Sequence, residues 1–177
     1  IRRIDWLGLL ETWGLKLLAA GLIFLVGMWL AKRFSAGLER VLGRTSKQAN
    51  CAVAIGNTYR ELGDTARALE RLVQAATLYA STGDHQGLGL VAENRGDLLA
   101  PRDPAAALLA YGRARAHYDT LHSSTDLAYV LRSLGALLLR TGQVAEATEV
   151  LRTGGSLALG SGDAELRMNY ALTLAEL

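Results

Sequence analysis

Few residues in this chain could do covalent chemistry, and their spacing does not bring them together. Three histidines are present, of which His117 and His122 stand five apart without the further ligands of a zinc site, while His85 follows Asp84 in what reads as a loop. The one cysteine, Cys51, has no histidine near it in sequence and reads as a buried core residue, not a nucleophile. It also excludes an internal disulfide. The glycines of "TGGSLALGSGD" lack the lysine, and the strand-before, helix-after setting, of a phosphate-cradling loop. Carboxylates are scattered, with no paired arrangement. The expectation is a protein without catalytic residues, metal or cofactor, whose polar side chains bind and do not react.

The elements that would position those side chains come from a repeat. Gly56, Gly96 and Gly135 mark the same place in successive units, 40 and 39 residues apart. Such a period indicates stacked supersecondary units. With only two prolines, few β-branched residues and many Ala and Leu, the chain reads as all-α. Each unit reads as two helices. Helix A ends just past its marker glycine, at the turns Leu62-Gly63-Asp64 and Thr141-Gly142-Gln143. Helix B then carries Ala68, Leu72, Ala75 and Tyr79 in the first unit. The second has Ala107, Tyr111, Ala114 and Tyr118, and the third Ala147, Leu151, Gly154 and Ala158. Spacings of 4, 3 and 4 lay one stripe along a helix. Helix B is expected to stop at Gly83-Asp84 and at Gly162-Asp163. The middle unit departs, with the turn "APRDP" one residue shorter and "HSSTD" in place of the Gly-Asp stop.

"GNTYRELGDTARALERLVQAATLYASTGD" resembles the tetratricopeptide repeat in its longer variant of about 40 residues. The resemblance covers residues 48–177 and implies an α-solenoid of about 3.5 helix-turn-helix repeats, with a last helix A from Ala164 to Leu177. It also implies that helix A side chains line a concave groove for a protein or peptide segment. Carried over by position, these are Asn50, Val53, Asn57 and Arg60, then Glu93 and Asp97, then Tyr129, Arg132, Ala136 and Arg140. Asn57 follows the marker glycine, where many such repeats hold a peptide backbone or terminal carboxylate. Glu93 and Asp97 place negative charge beside Arg132, so an extended or helical segment of mixed charge fits better than a C-terminal carboxylate.

The first 47 residues differ in kind. They hold eight basic residues against three acidic, whereas the remainder holds 11 against 14. The repeats therefore carry no basic stripe, which argues against nucleic acid as a partner. Leu17–Ala31 is free of charge, and the run extends to 13–31 with Lys16 as its sole interruption. Trp13 and Trp29 bracket it as interfacial residues do, Lys16 sits where it can snorkel, and Lys32 and Arg33 close the other end. A membrane-spanning helix is expected, with an interface at Trp13, Lys16, Trp29, Lys32 and Arg33. A buried core helix and a cleaved signal peptide are the alternatives. Five basic residues in 32–47 place the repeats in the cytoplasm and the N-terminus outside. Small residues at Gly14 and Gly21, and at Ala20 and Gly27, fall seven apart and offer a face for self-association.

"LLAAGLIFLVGMWLAKRFSAGLERVLGRT" resembles the first conserved transmembrane helix of the small-conductance mechanosensitive channel family. The resemblance rests on Ala19–Ala20, Val26–Gly27, Ala31 with Lys32–Arg33, and the amphipathic continuation to Leu42. It implies a bacterial inner membrane and a helix running from periplasm to cytoplasm. The pore-lining helix and β-rich domain of that family have no counterpart in this sequence, so channel activity is not carried over.

The expectation is therefore a single-pass adaptor or scaffold: an anchor over 1–47 and a repeat domain over 48–177 that docks a protein segment. A regulatory or assembly subunit of a mechanosensitive-type channel is the first alternative. A soluble sensor fragment is the second. The charge shift near Thr45–Gln48 also admits a fusion of two unrelated pieces, and the start at Ile1 a fragment.

Overall fold

The structure, a computed structural model, describes residues 6–175, with side chains for residues 20–30, 32–33 and 41–175. Among the described residues every element is a helix, and the chain is all-α. In order they are α1 (Trp6–Glu61), α2 (Thr65–Thr82), α3 (His85–Leu99), α4 (Pro104–Thr120), α5 (Ser124–Arg140), α6 (Val144–Gly160) and α7 (Ala164–Ala175). The chain divides into two compact units, residues 1–44 and 45–177.

In the first unit, Leu22 through Val26 and Met28 through Leu30 are all exposed, and these positions run right round the helix. The Arg33 guanidinium lies over the Trp29 ring at 5.4 Å, a cation–π contact at the end of the apolar run. A Cβ added at Gly21 or Gly27 would meet nothing within 4 Å. Trp13, Gly14 and Lys16, and residues 34–40, lie outside the residues whose side chains are described. Among the described residues, no helix is long and apolar enough to cross a membrane.

In the second unit the helices pack in sequential pairs. The expected stripes are the reason: every helix B stripe position in α2, α4 and α6 is buried. The core is a series of clusters in chain order. Ala49, Ala52 and Val53 of α1 join the α2 stripe and Val91 and Leu98 of α3. Ala92 and the α4 stripe then meet Val130 and Leu137. Leu131 and Leu138 pack on Ala147 and Val150, and Ala128, Leu151 and Ala158 on Leu166 and Tyr170. Fully burying each Leu or Tyr of this kind stabilises the fold by about 1.5–3 kcal/mol.

The marker glycines have a packing reason. Gly56 faces Leu72, Gly96 faces the Tyr111 ring, and Gly135 faces Leu151. A Cβ at Gly96 or Gly135 would overlap its neighbour, so the bare backbone there lets helix B approach helix A closely. Gly154 gives Tyr170 the same notch in the last pair.

The turns are also as the residue types dictate. Gly63, Gly83 and Gly142 take left-handed φ of 77°, 66° and 80°, and each is followed by a residue whose N–H reaches back to the preceding helix. In the irregular middle unit His122 occupies this place with φ 52°. Its N–H and that of Ser123 donate to the Asp119 and Tyr118 carbonyls, as those of Gly83 and Asp84 do to Ala80 and Tyr79. Asp64, Asp84 and Asp103 cap α2, α3 and α4, accepting from Arg67, Gly87 and Ala106 backbone N–H groups.

Three expectations are corrected. Cys51 is exposed, because Ala49, Ala52 and Val53 already take the buried face of that helix. Val53, expected in the groove, is core at 6% exposure. Helix α6 stops at Gly160 on an extended Ser161, before the expected Gly162-Asp163, and Asp163 caps α7 by accepting from the Leu166 N–H.

Candidate functional site: an acidic tyrosine-lined cleft

Within the second unit the chain folds a cleft of about 220 Å³ from five helices and the α2–α3 turn. Its walls are Asn50 of α1, Tyr79 of α2, Glu93 of α3, Tyr118 of α4, and Asp126 and Tyr129 of α5, with Asp84, Gln86, Gly87 and Leu90 between. Asn50, Glu93 and Tyr129 are three of the residues expected to line a groove, one from each helix A. The repeat brings them together: Asn50 and Tyr129 hold equivalent positions six residues before their marker glycines, and Glu93 lies one turn along the same face of the middle helix A.

Sequence reasoning missed the other half of the site. Three helix A polar groups are each met by a tyrosine hydroxyl. Tyr79 donates to Asn50, Tyr118 donates to Glu93 at 3.1 Å, and Tyr111 donates to Asp97 at 2.7 Å. Tyr129 donates to Asp163. The signal was available: Tyr79 and Tyr118 are the last members of their stripes, and a buried phenol needs a polar partner for its hydroxyl. Asp126 was also missed. It accepts from Gln86 Nε2 at 2.8 Å and from Ser123 Oγ at 2.5 Å, and so ties α5 to the start of α3.

The electrostatics are those of half-buried carboxylates. Glu93 is pushed up to about 7, chiefly by burial. The Tyr118 hydroxyl and Arg132 pull it down, while Asp97 and Asp126 push it up. Tyr111 and Tyr118 are both raised, first by burial and then by the carboxylates they face. The cleft therefore holds three carboxyl groups, Asp84, Glu93 and Asp126, and no basic side chain among its walls.

The remaining expected groove residues fall elsewhere. Arg60 and Asp97 face each other at 3.7 Å, both about two-fifths exposed, beside a second hollow lined by Thr65, Leu98, Pro101 and Arg102. Arg140 donates to the Ala100 carbonyl at 2.6 Å and so braces α5 against the end of α3. Arg132 is half-buried, with its Nε enclosed and lacking a hydrogen-bond partner. Asn57 is half-buried and Ala136 exposed, and neither lines the cleft. Among the described residues no three or more His, Cys, Asp or Glu side chains form a metal-binding group.

Compared with the curated proteins, the chain matches none. Residues 4–46, less than half of the chain, match the conserved transmembrane helix of the mechanosensitive ion channel family. That match associates the N-terminal part of the chain with membrane channels.

Proposed function

We propose that residues 45–177 are a tetratricopeptide-type stack that holds a segment of a partner protein, and that the N-terminal helix anchors this adaptor in a membrane. The observation that carries the docking role is the cleft, in which Asn50, Glu93 and Tyr129 from successive units converge with Asp84 and Asp126. Three carboxyl groups without a basic neighbour among the walls favour a segment that presents a lysine or arginine. Tyr129, part-exposed at the cleft wall, sets an aromatic ring beside that charge, which suits a guanidinium. We infer binding and no catalysis. Glu93 is lifted by its burial, and an incoming cation would return it to the ionised form that holds the ligand.

The anchor reading is supported by the match over residues 4–46 and by the collar of exposed apolar side chains from Leu22 to Leu30. The basic flank after Arg33 favours cytoplasmic repeats. In membrane fractionation the chain should stay with the bilayer in high salt and leave it only in detergent; release by salt alone would refute the span. In pull-downs from detergent-solubilised membranes, Glu93→Gln with Asp126→Asn should lose the partner, and undiminished capture would refute the cleft.

A second reading, a regulatory or assembly subunit of a mechanosensitive-type channel, is favoured by the same match. Cysteines placed at Gly21 or Gly27 should then cross-link in the membrane to channel subunits or to a second copy of the chain. Monomeric behaviour in that assay would leave the single anchor.

A further inference from the structure

The two histidines that sequence spacing set aside meet in the fold. His85, the first residue of α3, and His117, in the last turn of α4, are 32 residues apart, yet their Nδ1 atoms are 3.1 Å from each other. The rings are tilted by 52°, with centroids 5.3 Å apart. His85 is exposed and His117 partly so, which leaves the pair open to solutes.

We propose that His85 and His117 are a two-imidazole chelate for a divalent transition-metal ion of the zinc, nickel or copper kind. The geometry carries it. Two nitrogens 3.1 Å apart subtend roughly 90–110° at an ion held 2.0–2.1 Å from each, within the range such ions accept. Both imidazoles must be neutral to ligate. On binding, each ring presents the Nδ1 lone pair and carries its proton on Nε2. No third His, Cys, Asp or Glu joins the pair among the described residues. The ion keeps open positions for water, and oxygen-preferring magnesium and calcium are excluded. The bond ties the start of α3 to the end of α4, and so braces one helix pair at its open end.

The test is calorimetric titration of the detergent-solubilised chain with Zn2+, Ni2+ and Cu2+, and with Mg2+ as the control. One equivalent should bind, with Cu2+ tightest. Either His85→Asn or His117→Asn should weaken it by about tenfold or more, at least what loss of a supporting partner costs a metal site. His122→Asn should leave it unchanged. Melting curves keep the result independent of folding defects: the ion should raise the Tm of the wild type and of His122→Asn but not of the other two, which melt normally in chelator. Equal binding by wild type and the double variant, or equal weakening by His122→Asn, would overturn the site.

Discussion

The ring of Tyr111 fills the notch left by Gly96 while its hydroxyl donates a 2.7 Å hydrogen bond to Asp97, the next residue of the same helix. One side chain thus locks helix A to helix B by shape and fixes a carboxylate by hydrogen bonding. Close helix packing and the placement of acidic groups are one arrangement in this unit.

That coupling makes substitution at the notch costly. Gly96→Ala and Gly135→Ala should each destabilise the chain by about 1–3 kcal/mol, since the added methyl overpacks Tyr111 or Leu151. Gly112→Ala is the contrast. Nothing lies within 4 Å of its missing Cβ, and alanine in mid-helix should stabilise by about 0.5–1 kcal/mol. Urea unfolding of the three variants checks both signs.

Glu93 should make the repeat unit less stable as pH rises. Its folded-state pKa, about 7, lies above the ordinary carboxyl value of 4.5, so the native state binds the proton more tightly than the unfolded chain. The stabilisation is fully present below pH 4.5 and is lost on going up through 7. Glu93→Gln, which cannot ionise, should melt higher than wild type at pH 8, with the gap closing near pH 5. Parallel melting curves across that range would contradict the burial of Glu93.

Docking of a cation should release protons near neutral pH. A lysine or arginine beside Glu93 favours the carboxylate and pulls its pKa down. Calorimetry of an arginine-containing peptide in buffers of different ionisation enthalpy should show proton release at pH 6.5. The release should vanish in Glu93→Gln.

Cys51 supplies a native reporter of sidedness. It is exposed on the first helix of the repeat unit and is the sole thiol of the chain. In sealed cells a membrane-impermeant maleimide should leave it unlabelled, and opening the cytoplasmic side should allow labelling. Labelling from outside would reverse the proposed orientation.

The elements were legible because each follows from a local rule. The 4-3-4 stripes, the marker glycines and the Gly-Asp punctuation act within one or two turns, and a one-dimensional reading captures them. Half of the cleft was legible for the same reason, since Asn50 and Tyr129 share a position in the repeat and Glu93 stands one turn further along the same helix face. What escaped needs distances across helices. The partnering of Tyr118 with Glu93, 25 residues apart, is set by how α3 lies on α4. The meeting of His85 with His117 is of the same kind. Cys51 misled because residue type favours burial, whereas its helix had already committed Ala49, Ala52 and Val53 to the core. His122 shows the opposite case: the glycine signal is missing, but the left-handed turn forms all the same.

The closest helix contacts of the second unit join elements adjacent in the chain, so each pair is secured mainly by its immediate neighbours. An array of this kind can open piecemeal, its units yielding at different temperatures. The cleft is built differently, for its walls come from α1 through α5. A segment lying in it would touch the first and third units, which are not adjacent in the stack, as well as the middle one. Such a ligand acts as a splint, converting gradual loosening into a single all-or-none transition.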